Sequence, residues 1–454
     1  MAARLEDLAP EALLGRARKA ADLVDAAGRV RVFCHYDPDG TTSAAILARA
    51  LLRRGKRFQA TMSHAFDREA LARLQGEENE LLLVSDMGSG QLDLLEALKG
   101  PTVVLDHHKP LRDSGSIVHV NPHLVGIDGT REMCGSTTTW LLALALDEAN
   151  WDLAGIAMAG AIGDKQDQGG FVGVNAALFR EAVERKILVP ERRLALRDVP
   201  LTKALATSIS PYFRGLGGRP DAAEAFLRTA GFDPSGTVRD LDAAGRRRLA
   251  SVLATRLVEQ GAAPEAIDVL VEDRYWSEPD RMYVGELEAY VNSCDRLGRE
   301  GLGMAVCLGD REALGKAEAL RDEYTSRVIA YLSRLESEGM FAKGHVQFFY
   351  CEEPTLAGSV AGAGIQFYFD QGKPVLGLSV MEAKTKASAR GTRSQVAAGV
   401  DLAAALREAA EAVGGDGGGH NIASGATIPK GREEKFIGLV DEIVGRQVGG
   451  RAAQ

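Results

Sequence analysis

Residues 31–44 read RVFCHYDPDGTTSA. A short apolar run, 30–34, gives way to His35, and Asp37, Asp39 and Gly40 follow at once. A continuous apolar run of this length predicts a strand buried on both faces. One acid in the loop after a strand is ordinary, because Asp favours turns. A histidine and two acids at alternate positions need a further cause. Gly40 permits a tight exit, and Thr41, Thr42 and Ser43 are expected to cap the helix that follows. Over 43–54, Ala44, Ile46, Leu47, Ala50 and Leu51 recur at helical spacing.

The pattern extends in both directions. Leu13, Leu14, Ala17, Ala20, Ala21 and Val24 predict an amphipathic helix over 5–27. Residues 58–62 fit a strand, and runs at 81–85, 102–105 and 117–121 predict further ones. Strands alternating with helices predict a mostly parallel sheet covered on both faces. Such sheets place their chemistry at the carboxyl ends of the strands.

Four groups are expected at such ends: His35 with Asp37 and Asp39, Asp86 in LVSDMGSG, Asp106 with His107 and His108 in VVLDHHKP, and Asp164 in AIGDKQD. Each alone has an ordinary explanation as a turn or cap residue. Together they would repel one another and resist desolvation unless a cation held them. Mixed carboxylate and imidazole ligands suit manganese, iron or zinc better than calcium. One acid can bridge two such ions and serve a two-metal phosphoesterase reaction. His64, His119, His123 and His345 are expected to be structural.

Composition sets the frame. The chain has 454 residues, 45% of them hydrophobic and 26% charged, which predicts several packed cores. A net charge of -9 argues against a protein coated in basic patches. Five scattered cysteines with no CxxC pair predict neither a disulfide framework nor a structural zinc site, and fit a reducing cytoplasm. No signal-peptide pattern opens the chain and no run has the length of a membrane span.

After 195 the character changes. Charged helical stretches such as RRLASVLATRLVEQ predict a helical middle region. From Gly344 strands return in HVQFFYC and in GIQFYFDQGKPVLGLSV, followed by a helix in LAAALREAAEAV. In KTKASARGTRS, strand alternation would put Lys386, Ser388 and Arg390 on one face, as a phosphate-binding strip. Gly417, Gly418 and Gly419 would leave backbone N–H groups open to an anion, with His420 as an added donor. The expected domains are 1–195, 196–340 and 341–454.

HYDPDG, the isolated Asp86, LDHHKP and GAIGD, in this order, resemble the motifs of the DHH phosphoesterase superfamily. GGGHNIASG resembles the signature of the DHH-associated domain that follows it, and YVNSCDRLGREGLGMAVCLGD is similar to archaeal RecJ-like members. The resemblance implies an α/β metal domain, a helical middle and a smaller α/β substrate-binding domain. It implies Asp37, Asp39, Asp86, His107 and Asp164 as metal ligands, with His35 at the metal site or beside it. Asp86 would bridge two manganese ions, with magnesium or another divalent metal as alternatives. Asp106 would orient His107, and His108 would face the scissile phosphate. Ser388, Arg390 and His420 would bind substrate.

Small-substrate branches of the superfamily carry an acid six positions after the histidine; here Thr41 stands there and the second acid is Asp37. That placement resembles the RecJ nuclease branch. The expected function is therefore a single-stranded DNA or RNA exonuclease, acting with a replication or repair complex. The alternatives are a phosphodiesterase on short oligoribonucleotides or cyclic dinucleotides, and a non-catalytic subunit of a replication assembly.

Overall fold

The computed structural model describes residues 4–77 and 80–449. The ends of the first and last expected domains, 1–3 and 450–454, lie outside these residues. The chain forms two compact units, Met1–Glu191 with Asp273–Arg321, and Arg192–Glu272 with Asp322–Gln454. Residues 196–340, expected as one helical middle region, are thus shared between the two.

The first unit is built on five strands: β1 (Arg29–His35), β2 (Arg57–Ser63), β3 (Leu81–Ser85), β4 (Thr102–Leu105) and β5 (Val118–Val120). Their order is β2-β1-β3-β4-β5, and every pairing is parallel. Side chains alternate between two cores, as the period of a strand requires. Val30, Val32, Leu81, Leu83, Val103 and Leu105 enter one, and Phe33, Leu82, Val84 and Val104 enter the other. Burial on both sides is why these strands read as unbroken apolar runs. The order reverses between β1 and β3, where open α/β sheets leave a crevice at the carboxyl edge. His35 ends β1 and Asp86 follows β3, so the two residues flank that crevice.

Two local expectations change. The helix after β1 runs Pro38–Arg53, with Asp37 as its N-cap accepting from Gly40 N at 3.1 Å. Proline at the first helical position starts the helix five residues earlier than the Thr41, Thr42, Ser43 reading allows. Asp164 follows a helix, Ala154–Gly163, and not a strand. Its apolar run is ten residues of mostly small side chains, buried all round, which suits a core helix.

The later segment of this unit is also partly extended. Val271–Ser277 and Met282–Tyr283 pair antiparallel, with Trp276 opposite Tyr283, where only helix was expected. Helices Val284–Arg296 and Glu300–Cys307 follow, and send Val284, Leu287, Val291 and Val306 into the first core.

The second unit holds a six-stranded sheet. Its order is Asp416–Gly419, Ala423–Pro429, Lys384–Arg390, Val375–Val380, Gln347–Tyr350, Phe341–Ala342. Only Gln347–Tyr350 and Val375–Val380 run parallel. Helices Leu402–Glu411 and Glu433–Gly449 cover one face through Leu406, Ala409, Phe436 and Val440. Pro354–Phe367 packs on the other, and a Cβ on Gly377 would lie 3.1 Å from Ala357 O. The GIQF portion of the expected strand belongs to that helix. No helix among the described residues is long and apolar enough to cross a membrane.

Candidate metal centre

The end of β1 delivers three candidate ligands, one imidazole and two carboxylates, in five residues. Asp37 precedes the helix Pro38–Arg53 and Asp39 lies in its first turn. Gly40 is required by contact with the strand it has just left, since a Cβ there would lie 2.2 Å from His35 O.

Asp39 is fully buried and held by a second helix, Gly135–Leu146. Gly135 N donates to its Oδ2 at 2.6 Å and Ser136 N to its Oδ1 at 2.9 Å. A carboxylate at a helix N-terminus is stabilised by unpaired N–H groups and the helix dipole. Gly160, on Ala154–Gly163, closes the same place: a Cβ there would lie 2.6 Å from Asp39 Oδ1. Gly135 and Gly160 were not singled out in the sequence; their partners are far away in the chain.

Asp86 has φ +56°, a left-handed conformation sparsely used by residues other than glycine. Both its carboxylate oxygens are buried and make no hydrogen bond. Oδ2 lies 3.5 Å from His35 Nδ1, and Oδ1 lies 3.2 Å from His107 Nε2. His35 Nδ1 is 3.1 Å from Asp37 Oδ2 and is likewise without a hydrogen bond. His107 Nε2 is 3.3 Å from Asp164 Oδ2 and 3.8 Å from Asp39 Oδ2. Two triads result, His35–Asp37–Asp86 and Asp39–His107–Asp164, each with ligand atoms within 4.8 Å of one another. Asp86 faces both.

The charges strain against one another. Burial and the charge of Asp86 push Asp39 up to about 6. Burial, then the charge of Asp39, raises Asp164 well above the usual carboxylate range. Burial would lower His35, but the carboxylates of Asp37 and Asp86 beside it raise it to about 11. Burial is likewise overcome at His107, which Asp86 and Asp164 raise. Buried acids with unpaired oxygens, beside imidazoles that hold protons in their place, form a donor set that fits a divalent cation. His35, Asp37 and Asp86 would hold one ion, and Asp39, Asp86, His107 and Asp164 a second.

Asp106 does a different job. Its Oδ1 accepts from His107 N at 2.8 Å, His108 N at 3.2 Å and His108 Nδ1 at 2.8 Å. Its Oδ2 accepts from Ser89 N at 2.8 Å. With its oxygens so engaged, Asp106 orients the His108 ring and not, as expected, the His107 ring. Gly129 O holds His107 instead, at 2.7 Å from Nδ1, and also accepts from Gln166 Nε2 at 2.9 Å. His119, structural as expected, contacts Ser89 Oγ at 2.9 Å; Asn121 Nδ2 donates to Ser89 Oγ and to His108 O.

Residues 29–161 match the DHH family, N-terminal domain, and residues 343–446 match the DHHA1 domain. The chain is 31% identical over 431 residues to an uncharacterized protein of Methanocaldococcus jannaschii, covering 93% of this chain and 94% of that one. The chain belongs to the DHH family.

Among solved structures, this DHH protein resembles RecJ from Thermus thermophilus in complex with Mn2+, with a TM-score of 0.62 and 20% identity over 97% of its length. It spans 55% of that RecJ chain. It also resembles CDC45 from Entamoeba histolytica, with a TM-score of 0.63 and 11% identity, covering 97% and 98% of the two chains. At these identities both likenesses are of fold.

The DHHA1 domain carries the basic strip. On Lys384–Arg390, Thr385, Ala387 and Ala389 are buried. Lys386, Ser388 and Arg390 alternate with them and share the other face. Lys386 is exposed, whereas Ser388 and Arg390 are half-buried. Arg390 Nη1 donates to Ala389 O at 2.8 Å, and a Cβ on Gly358 would lie 2.9 Å from Arg390 Nη2. The glycines form an edge strand and not an open loop: Gly417, Gly418 and Gly419 stand opposite Ala426, Gly425 and Ser424. His420 N is engaged with Ala423 O at 2.8 Å, while its side chain is exposed. The absence of a Cβ at Gly417 lets Leu406 O approach to 2.8 Å of where one would sit, which fixes this edge against the helix.

Proposed function

We propose that this DHH protein is a metal-dependent phosphodiesterase that releases mononucleotides from an end of single-stranded nucleic acid. The observation that carries the reading is Asp86, whose two unpaired carboxylate oxygens face separate His–Asp groups. Divalent ions, manganese or magnesium, would supply charge for the attacking and leaving oxygens of an in-line displacement. Asp37, Asp39, Asp86, His107, Asp164 and His35 would hold those ions. Asp106 fixes His108, whose pKa is raised to about 9 against its burial, chiefly by the Asp106 hydrogen bond. The Asp106 hydrogen bond favours the protonated imidazole, and the exposed side chain of His108 would present it to a phosphate. Lys386, Ser388, Arg390 and His420, with the Gly417, Gly418 and Gly419 edge, contact substrate phosphates.

The likeness to RecJ supports this reading through the fold. So does the arrangement of Asp37 and Asp39 with a neutral Thr41. Work within a replication or repair complex is the matching proposal for partners. The fold is shared with CDC45 too, but the complete set of ligand candidates favours an enzyme.

The test is degradation of end-labelled single-stranded DNA and RNA with Mn2+ or Mg2+, wild type against Asp86→Ala. Mononucleotides from the wild type and none from the variant support the reading. Equal activity in the two would overturn it. A strong preference for a dinucleotide would move the assignment to small substrates.

A further inference from the structure

Thr41, the neutral residue in the motif, has a partner 254 residues away. Its Oγ1 lies 3.1 Å from Oδ1 of Asp295, on helix Val284–Arg296. Asp295 is 4% exposed, and its Oδ2 is buried without a hydrogen bond. From the same segment, Gly303 closes on the Thr41 methyl: a Cβ there would lie 3.5 Å from Cγ2.

Thr41 Oγ1 also lies 3.3 Å from Tyr36 O. That carbonyl sits between His35 and Asp37. A hydroxyl has one proton to give and two lone pairs to receive. Its one proton is within reach of Asp295 Oδ1 and of Tyr36 O; given to an ionised Asp295 it is lost to Tyr36 O, and given to Tyr36 O it leaves the Thr41 oxygen to accept from Asp295. Burial holds the Asp295 carboxyl well above the usual range against the Thr41 hydrogen bond, and the charge of Asp37 adds to the rise. A protonated carboxyl is the donor this chain of contacts needs. A buried acid with a half-used carboxyl calls for an explanation.

We propose that Asp295 is a positioning residue for the metal centre. Through Thr41 it fixes the Tyr36 carbonyl, and with it the turn that sets His35 and Asp37 relative to Asp86. The inference rests on the metal reading of that centre and deepens it.

The test is Mn2+ binding by calorimetry, with no hydrolysis assayed. Thr41→Val keeps shape and loses the hydroxyl; Asp295→Leu loses the carboxyl. Each is expected to weaken Mn2+ binding about tenfold, the scale found when a group supporting a metal ligand is removed. The double variant should be no weaker than either. Thr41→Ser and Asp295→Asn restore a hydrogen-bonding group and should bind as the wild type does. If Asp295→Asn is as weak as Asp295→Leu, charge and not the hydrogen bond matters, and the proposal fails. If Thr41→Val, folded by circular dichroism, binds Mn2+ like the wild type, the proposal fails while the metal reading stands. A wild type that binds no Mn2+ overturns both.

Discussion

Gly135 donates its backbone N–H to Asp39 Oδ2 at 2.6 Å, so the first amide of one helix anchors an acid carried by another. The approach is possible only without a side chain. A Cβ on Gly135 would lie 2.7 Å from both Asp39 Oδ2 and Asp86 Oδ1.

Gly135→Ala should therefore push the two candidate ligand carboxylates aside. Carboxylate tips can yield, so we expect about 1–3 kcal/mol of lost stability and a larger relative loss of Mn2+ affinity. Gly129→Ala is the contrast, because its Cβ would meet the His107 backbone O at 2.0 Å. It should lower the melting temperature more than Gly135→Ala does. Thermal melts and Mn2+ titrations of the two variants check this ordering.

Mn2+ should stabilise the protein by mass action. An ion that binds only the folded chain adds about 2.7 kcal/mol at a hundredfold excess over its Kd. Asp86→Ala should abolish the rise in melting temperature, because it removes the acid that faces both triads. A full rise in that variant would show that Asp86 holds no ion.

Metal binding must displace protons. Asp39 is raised to about 6 and His35 to about 11 in the metal-free protein. Protons therefore compete with the ion, and affinity should climb as pH rises from about 5.5 to about 8. Calorimetry in buffers of different ionisation enthalpy should show net proton release. An affinity flat across this range would contradict the competition.

The Asp106–His108 pair has the opposite dependence. His108 is raised to about 9, so its contribution to stability is complete below about pH 6.5 and is lost as pH rises through about 9. The melting difference between wild type and His108→Gln should shrink over that interval.

Arg390→Ala should weaken single-strand binding while leaving Mn2+ affinity unchanged, because a guanidinium is no metal ligand. Binding by the wild type should fall with added salt, with a slope smaller in the variant by about one phosphate contact. Equal slopes would remove Arg390 from the phosphate strip.

The central strands β1, β3 and β4 were legible because burial on both faces leaves an apolar run, and His35, Asp86 and Asp106 were legible because they end such runs. The start of the helix at Pro38 was hidden by three hydroxyl residues that look like caps. GIQF reads as strand by composition, yet it closes a helix in which small residues pack against the sheet. The partner of His107, Gly129 O, and the Gln166 amide that shares that carbonyl have no local signal, since Gly129 acts through its carbonyl. Asp295 was quoted within a motif, but only folding shows that it meets Thr41.

The ligand candidates also have a consequence for the unfolded chain. His35, Asp86, His107 and Asp164 lie far apart in sequence, separated by loops of tens of residues. An ion that gathers them closes three loops at once, and the entropy of closure grows only slowly with loop length. Mn2+ should then act on this protein as a removable cross-link. Chelation would loosen the first unit and should raise its hydrogen exchange in β1, β3 and β4 together, while the exchange of the DHHA1 sheet stays as it was.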